Sequence, residues 1–305
     1  MLTSLDDIKS LLFWKALAAE FIGTLFLVIA GCGSCIQGWP NGSHIKLLID
    51  NSTVHLTHNY STADIVQIAL AFGLSVATVV WIFGHVSGGH VNPAVTCAML
   101  ITRRISLARG LLFVVFQLFG AIAGAAVLKG LTPDELEGTL GCTFLGQGVN
   151  NIMGVGVELC ITYILVLTVF AASDKRRKDL GGSVPLAIGL SVTMCHLFAV
   201  RLTGSSMNTA RSFCPAVVMG IWKEHWVFWL GPILGGILAG LTYDNVFAVN
   251  ASLAKCKGFL LFSNYDNDKY PAKPTKIRVI EEGGEQNLDR MKHLDLGTEK
   301  DQSIV

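Results

Sequence analysis

Two asparagines and an arginine are the residues of this chain best placed to do chemistry. Asn92 opens "NPA" (Asn92, Pro93, Ala94) and Asn208 opens "NTA" (Asn208, Thr209, Ala210), each ahead of a short apolar run. An asparagine at a helix start is a natural N-cap: its oxygen takes a backbone N–H and its NH₂ is left to donate. Two such caps face to face would offer a passing molecule two donors. Both helix N-termini would also aim roughly half an elementary charge at the same point, repelling cations and protons but not neutral molecules. Arg211 falls in the first turn of the second run, where a cation opposes the dipole. That cost favours a charged gatepost on an aqueous constriction over a structural salt bridge. His196, in "MCHLFAV", is the fourth polar group; a lone intramembrane histidine is commonly a core residue, but beside an arginine gate it reads as lining. The chemistry implied is selective passage. No phosphate loop, metal cluster or nucleophile–base–oxyanion set is present, so no enzyme activity, cofactor or metal is expected.

The elements that must hold these groups are apolar. Of the 305 residues 51% are hydrophobic and 15% charged, with mean hydropathy +0.54 and a formal net charge of +1. This suits a membrane protein and disfavours a soluble domain or a nucleic-acid binder. Six nearly charge-free runs, at 16–36, 63–84, 110–128, 152–172, 184–200 and 226–243, are each close to the roughly 20 residues a spanning helix needs. The first has the length of a span and an acidic start, so it reads as a retained helix rather than a signal peptide. The runs at 93–101 and 209–222 are too short or interrupted to span. They read as re-entrant half-helices, which lipid tolerates only where protein or a cavity shelters the loose backbone.

"LAFGLSV" at Leu70 returns as "LAIGLSV" at Leu186, and the same offset of 116 maps Gly88 onto Gly204, Asn92 onto Asn208, Gly120 onto Gly236 and Gly124 onto Gly240. This is an internal duplication. Three spans and a half-helix per copy force the second copy to be inverted, so the half-helices should enter from opposite sides and meet near the midplane. The first span of each copy carries a carboxylate, Glu20 and Glu158. Either they accept hydrogen bonds from the re-entrant loops or they serve proton-coupled transport. The small-xxx-small pairs Gly120/Gly124 and Gly236/Gly240 read as tight helix contacts.

Arg103, Arg104 and Arg109, and the run Lys175 to Lys178, place their loops in the cytosol, with both termini. The loop after the first span is then extracellular and carries N-glycosylation acceptors at Asn41, Asn51 and Asn59, whereas the sequon at Asn250 faces the cytosol and should stay bare. "DKRRK" reads as a topogenic loop, with phosphoinositide binding as the lesser alternative. The eight cysteines have no metal-ligand spacing and read as small buried hydrophobes, with no disulfide. The expected organisation is a cytoplasmic N-terminus over 1–11, a channel domain over 12–249 (repeats 12–130 and 150–249) and a disordered cytoplasmic tail over 250–305.

On "AEFIGT", "SGGHVNPAV", "HLF", "MNTARSF" and the inverted repeat, the chain resembles the aquaporin (major intrinsic protein) family over some four-fifths of its length. The resemblance implies an all-α membrane fold of six transmembrane helices plus two half-helices, a passive water channel in the cell membrane, and a homotetramer with one pore per protomer. It implies a constriction at Phe72, His196, Ser205 and Arg211, and pore-lining carbonyls at Gly88, Gly89, His90, Val91, Gly204, Ser205, Ser206 and Met207. Phe72 and His196 look like the narrow water-selective branch, as do Ser212, Ala216, Phe228 and Trp229. Thr209 departs from the pattern, which has proline there. The ending Ser303 to Val305 has the Ser-x-Val form of a PDZ-domain ligand, which would bind by strand addition.

Three other readings compete. A channel could also pass glycerol, hydrogen peroxide or ammonia. A secondary transporter would use broken helices and inverted repeats too, but the spans lack further ionisable residues to carry a coupling ion. A membrane-junction protein with low permeability would form arrays or adhesions without transport.

Overall fold

A computed structural model describes residues 7–36, 40–50, 53–60, 64–262, 265, 267 and 270, with backbone only for 40–50 and 53–60. The acceptor at Asn51, the C-terminal Ser303 to Val305 and the tail from residue 271 lie outside the described residues.

Six helices are long and apolar enough to cross a membrane: α1 (Leu11–Gly33), α2 (Ile65–Ser87), α4 (Leu107–Leu131), α5 (Asn151–Ala172), α6 (Val184–Thr203) and α8 (Val227–Thr242), the last running on through a π turn to Phe247. Two short helices, α3 (Pro93–Ile101) and α7 (Thr209–Met219), follow α2 and α6. The sequence extends the second to Trp222; Gly220 stops it at Met219 by taking φ +70°, a left-handed cap that glycine adopts without penalty. Between α1 and α2 lies an antiparallel hairpin, β1 (Pro40–Asp50) and β2 (Thr53–Tyr60), with Ile45 opposite His58. The helical reading therefore holds for the spans, and the hairpin is an addition outside them, holding Asn41 and Asn59 on its two strands.

The packing obeys the duplication. α1 packs on α4 as α5 packs on α8; α3 packs on α8 as α7 packs on α4; and α2 packs on its own repeat mate, α6. Glycines permit these contacts. A Cβ at Gly120 would meet the Phe21 carbonyl oxygen at 2.2 Å, and at the α2–α6 crossing Gly73 and Gly189 each back onto the other's carbonyl. Without side chains there, the helix backbones approach closely enough for dispersion to hold them in lipid, where burial of apolar surface gives no drive.

After the last span the fold continues past the expected tail boundary. Helix α9 (Leu253–Leu261) buries Lys255, whose ammonium donates to Asn250 Oδ1 at 2.8 Å with Asp244 at 3.9 Å. Burial pushes that ammonium down to about 8, with Asp244 pulling the other way. Arg103 donates to the Phe262 carbonyl and lies over the Phe259 and Tyr265 rings. The sequence made this stretch look like a solvated tail because its charges are visible and their partners are not. Asn250 itself is buried, its amide nitrogen given to the carbonyls of Asn267 and Tyr270, so the nitrogen a glycan would need is occupied.

Candidate functional site

Each span preceding a half-helix ends in a left-handed glycine, Gly88 at φ +93° and Gly204 at φ +77°, which turns the chain back toward the midplane. The next loop residues repeat the pattern: Gly89 matches Ser205, at φ +63° and +52°, and Val91 matches Met207, at +41° and +50°. A left-handed β-branched valine is strained, at a cost of order 1–3 kcal/mol, and persists only when its surroundings over-determine it.

The two carboxylates do so. Glu20 accepts from the backbone N–H of His90 (3.0 Å) and Val91 (2.7 Å), from the Ser87 hydroxyl (2.5 Å) and from Gln117 Nε2 (2.7 Å). Glu158 accepts from the N–H of Ser206 and Met207, both at 2.9 Å, and from the Thr203 hydroxyl at 2.6 Å. Both are fully buried. Ser87 and Thr203, His90 and Ser206, and Val91 and Met207 are repeat mates, so one clamp is built twice.

The clamped loops present Asn92 and Asn208 to one another. Asn92 Oδ1 caps α3 through Ala94 N–H, and Asn208 Oδ1 caps α7 through the N–H groups of Ala210 and Arg211. Each NH₂ also reaches across: Asn92 donates to the Met207 carbonyl and Asn208 to the Val91 carbonyl, both at 2.8 Å. One proton of each amide thus ties the repeats together, and the second remains for the cavity. The sequence suggested both protons were free; the cross-link appears only when the two loops are in contact.

A cavity runs past these asparagines, lined by Gly88 to Asn92, Ser206 to Asn208 and Arg211. Apolar side chains such as Val80, Leu165, Ile188 and Val192 complete the lining. The space open to the centres of water molecules is about 50 Å³. That is room for only about four waters.

At one end Phe72, His196 and Arg211 converge. The Phe72 and His196 rings stack with centroids 4.5 Å apart, and the Arg211 guanidinium carbon lies 4.6 Å from the Phe72 centroid. His196 Nδ1 is 3.0 Å from the Val192 carbonyl, which can only accept, so Nδ1 carries a proton. Arg211 is fixed by donating from Nη1 to the Gly141 carbonyl at 2.6 Å, while Nε has no partner among the described residues. A cation over an aromatic face is favourable, which offsets part of its opposition to the α7 dipole. Ser205 and Gly204 do not line the cavity; Ser205 is fully buried, and its hydroxyl has no partner among the described residues. Sequence reasoning missed Gly141 and Thr143, loop residues that touch Arg211 and Ser212 from outside either repeat core.

Thr209 occupies the first turn of α7, where proline is favoured. It is fully buried, its hydroxyl has no partner among the described residues, and it is not among the residues lining the cavity. Asn208 keeps its caps and its cross-link regardless. Thr209→Pro should leave water permeability within about twofold of wild type. It should raise thermal stability by roughly 1–3 kcal/mol, the desolvation cost of an unsatisfied hydroxyl, read from the melting curve in detergent.

No group of three or more histidine, cysteine or acidic side chains among the described residues has the geometry to hold a metal ion. The profile of the major intrinsic protein family matches residues 7–243. Mouse (Mus musculus) aquaporin-4 is 48% identical over 243 residues, covering 80% of this chain and 70% of that protein. Human (Homo sapiens) aquaporin-1 is 43% identical over 248 residues, covering 81% and 87%. Aquaporin-4 is also the mammalian type that the channel's motifs resemble overall. Among solved structures, the Plasmodium falciparum aquaglyceroporin superimposes with a TM-score of 0.63 at 20% identity, covering 77% of this chain and 96% of that one, a likeness of fold alone. The extent of the profile match, the two clamped half-helices and the duplicated packing lead to one conclusion: the chain belongs to the major intrinsic protein family.

Proposed function

We propose that the protein is a passive water-selective channel of the cell membrane, driven by osmotic gradients and excluding ions and protons. The observation that carries this reading is the small cavity past Asn92 and Asn208, with Phe72, His196 and Arg211 converging on it. Along it, hydrogen-bonding groups alternate with apolar side chains in the lining, so a small neutral molecule exchanges partners in steps while larger solutes meet the stacked ring. A cation meets the guanidinium at the constriction and the positive ends of two half-helices at the centre. Within this reading Asn92 and Asn208 are the central donors, and Phe72, His196 and Arg211 form the constriction. Ser205 belongs to its supporting loop, and Glu20 and Glu158 hold the lining carbonyls in place. The chain works as a homotetramer with both termini in the cytosol, glycans on the hairpin-bearing loop and a PDZ partner at Ser303 to Val305.

The test is stopped-flow light scattering of purified protein in liposomes, shocked first with an impermeant sugar and then with glycerol. Rapid shrinkage of low activation energy, with re-swelling in glycerol no faster than in empty vesicles, is the expected result. Shrinkage no faster than in empty liposomes, from folded protein, overturns the reading in favour of a junction protein. Accelerated glycerol entry replaces it with a broader channel.

A further inference from the structure

Running from the joining loop to the cavity wall at Ser206, three hydroxyls form a one-way chain. Thr143 Oγ1 donates to Ser212 Oγ at 3.0 Å, Ser212 Oγ to Ser206 Oγ at 2.6 Å, and Ser206 Oγ to the Asn208 carbonyl at 3.2 Å. All three residues are buried, at 4%, 1% and 3% exposure. Thr143 lies in the loop joining the two repeats, beyond α4 and before α5. The same loop supplies the Gly141 carbonyl that holds Arg211, and Gly146 N–H, which donates to the Leu202 carbonyl at 2.8 Å. Gly204 packs so closely on Thr143 that a Cβ there would meet Thr143 Cα at 3.2 Å.

The first repeat contains a counterpart. Gln117 on α4 donates to the Thr96 hydroxyl at 2.9 Å, and Thr96 donates to the Asn92 carbonyl at 3.1 Å. Thr96 is the repeat mate of Ser212, and His90, whose Nδ1 lies 3.1 Å from the Thr96 hydroxyl, is the mate of Ser206. Both loops are therefore held twice, by a carboxylate on their N–H groups and by a hydroxyl relay ending on the capping asparagine's carbonyl. In the first repeat the relay starts from a spanning helix. In the second it starts from a surface loop, so that loop sets the geometry of the constriction.

We infer that Thr143 is a positioning residue for selectivity. Its hydroxyl anchors the joining loop to Ser212, fixing the Ser206 end of the pore loop and the Gly141 end of the Arg211 guanidinium together. Ser212 has two hydroxyl neighbours and must accept from one to donate to the other. Removing the Thr143 proton leaves Ser212 with an unfilled acceptor and frees the loop that carries Gly141. Arg211 then gains room to swing, and the ring admits larger neutral solutes.

The inference rests on the water-channel reading, and the experiment separates the two. Thr143→Val keeps shape and removes only the hydroxyl; Thr143→Ser keeps the hydroxyl. Each is reconstituted with wild type, and water, urea and glycerol permeabilities are measured per folded protomer. Thr143→Val should raise the glycerol-to-water and urea-to-water ratios at least threefold, and Thr143→Ser should restore them to wild type. Adding Ser212→Ala to Thr143→Val should change the ratios little further, because both act through one chain. A merely structural role lowers all three permeabilities together and leaves the ratios unmoved; that result overturns the inference while sparing the channel reading. A wild-type protein with no osmotic permeability overturns both.

Discussion

Arg211→Val should turn the protein into a channel for small neutral solutes and let cations through. The guanidinium fills the gap beside the stacked Phe72 and His196 rings, its carbon 4.6 Å from the Phe72 centroid, and is only 2% exposed. Valine removes that volume, so glycerol and urea permeability should rise by at least tenfold while water changes by less than threefold. The electrostatic loss is large as well. A unit charge 4 Å from a permeating cation contributes roughly 4 kcal/mol at an effective dielectric of 20, or on the order of a thousandfold in cation occupancy. The half-helix dipoles remain and retain part of the barrier. Dye-reported proton flux and glycerol swelling in the same vesicles are the measurements. Unchanged glycerol entry would show that Arg211 does not set the aperture.

The second large effect is expected from Glu158→Gln. Glu158 takes two backbone N–H groups and a hydroxyl on two fully buried oxygens. Glutamine replaces one of those oxygens with a donor. Whichever way the amide turns, at least one of the Ser206 and Met207 N–H groups faces another N–H. Each orphaned buried donor costs about 1–3 kcal/mol, and the left-handed backbone at Met207, φ +50°, loses what holds it. Water permeability should fall by at least tenfold, with a lower melting temperature. Glu20→Gln should behave alike, since Glu20 takes four donors in the first repeat. If either variant conducts normally, the loops are held by something other than their carboxylates. Retained water permeation with the loss of pH-driven uptake would instead point to proton coupling.

Much of this architecture was legible because the bilayer imposes a coarse rule: each crossing needs a long apolar run, and six such runs are visible at their observed places. The half-helices were legible from Asn92 and Asn208, since a capping residue acts on the N–H groups two or three positions on, within a sequence window. The inversion followed from an odd number of spans per repeat. The ordered stretch up to Leu261 was not legible, for the opposite reason. Lys255 and Arg103 are charged in the sequence, and only the folded chain buries Lys255 against Asn250 and brings Arg103 to the Phe262 carbonyl and the Phe259 ring.

The sequence by itself determined the spans, the duplication, the two caps, and the presence of Glu20, Glu158, His196 and Arg211 in apolar surroundings. Those features are periodic or local, and each is set by the cost of placing a polar group in lipid. Only the tertiary structure decided which N–H groups the carboxylates clamp, that each asparagine spends one proton on the opposite loop, and that Gly141 holds Arg211. It also decided that Ser205 is fully buried and that Thr143 starts the relay ending at Asn208. These contacts join residues far apart in the chain through hydrogen bonds that need distances near 3 Å and correct angles, and nothing in the order of residues specifies such geometry until the helices have packed.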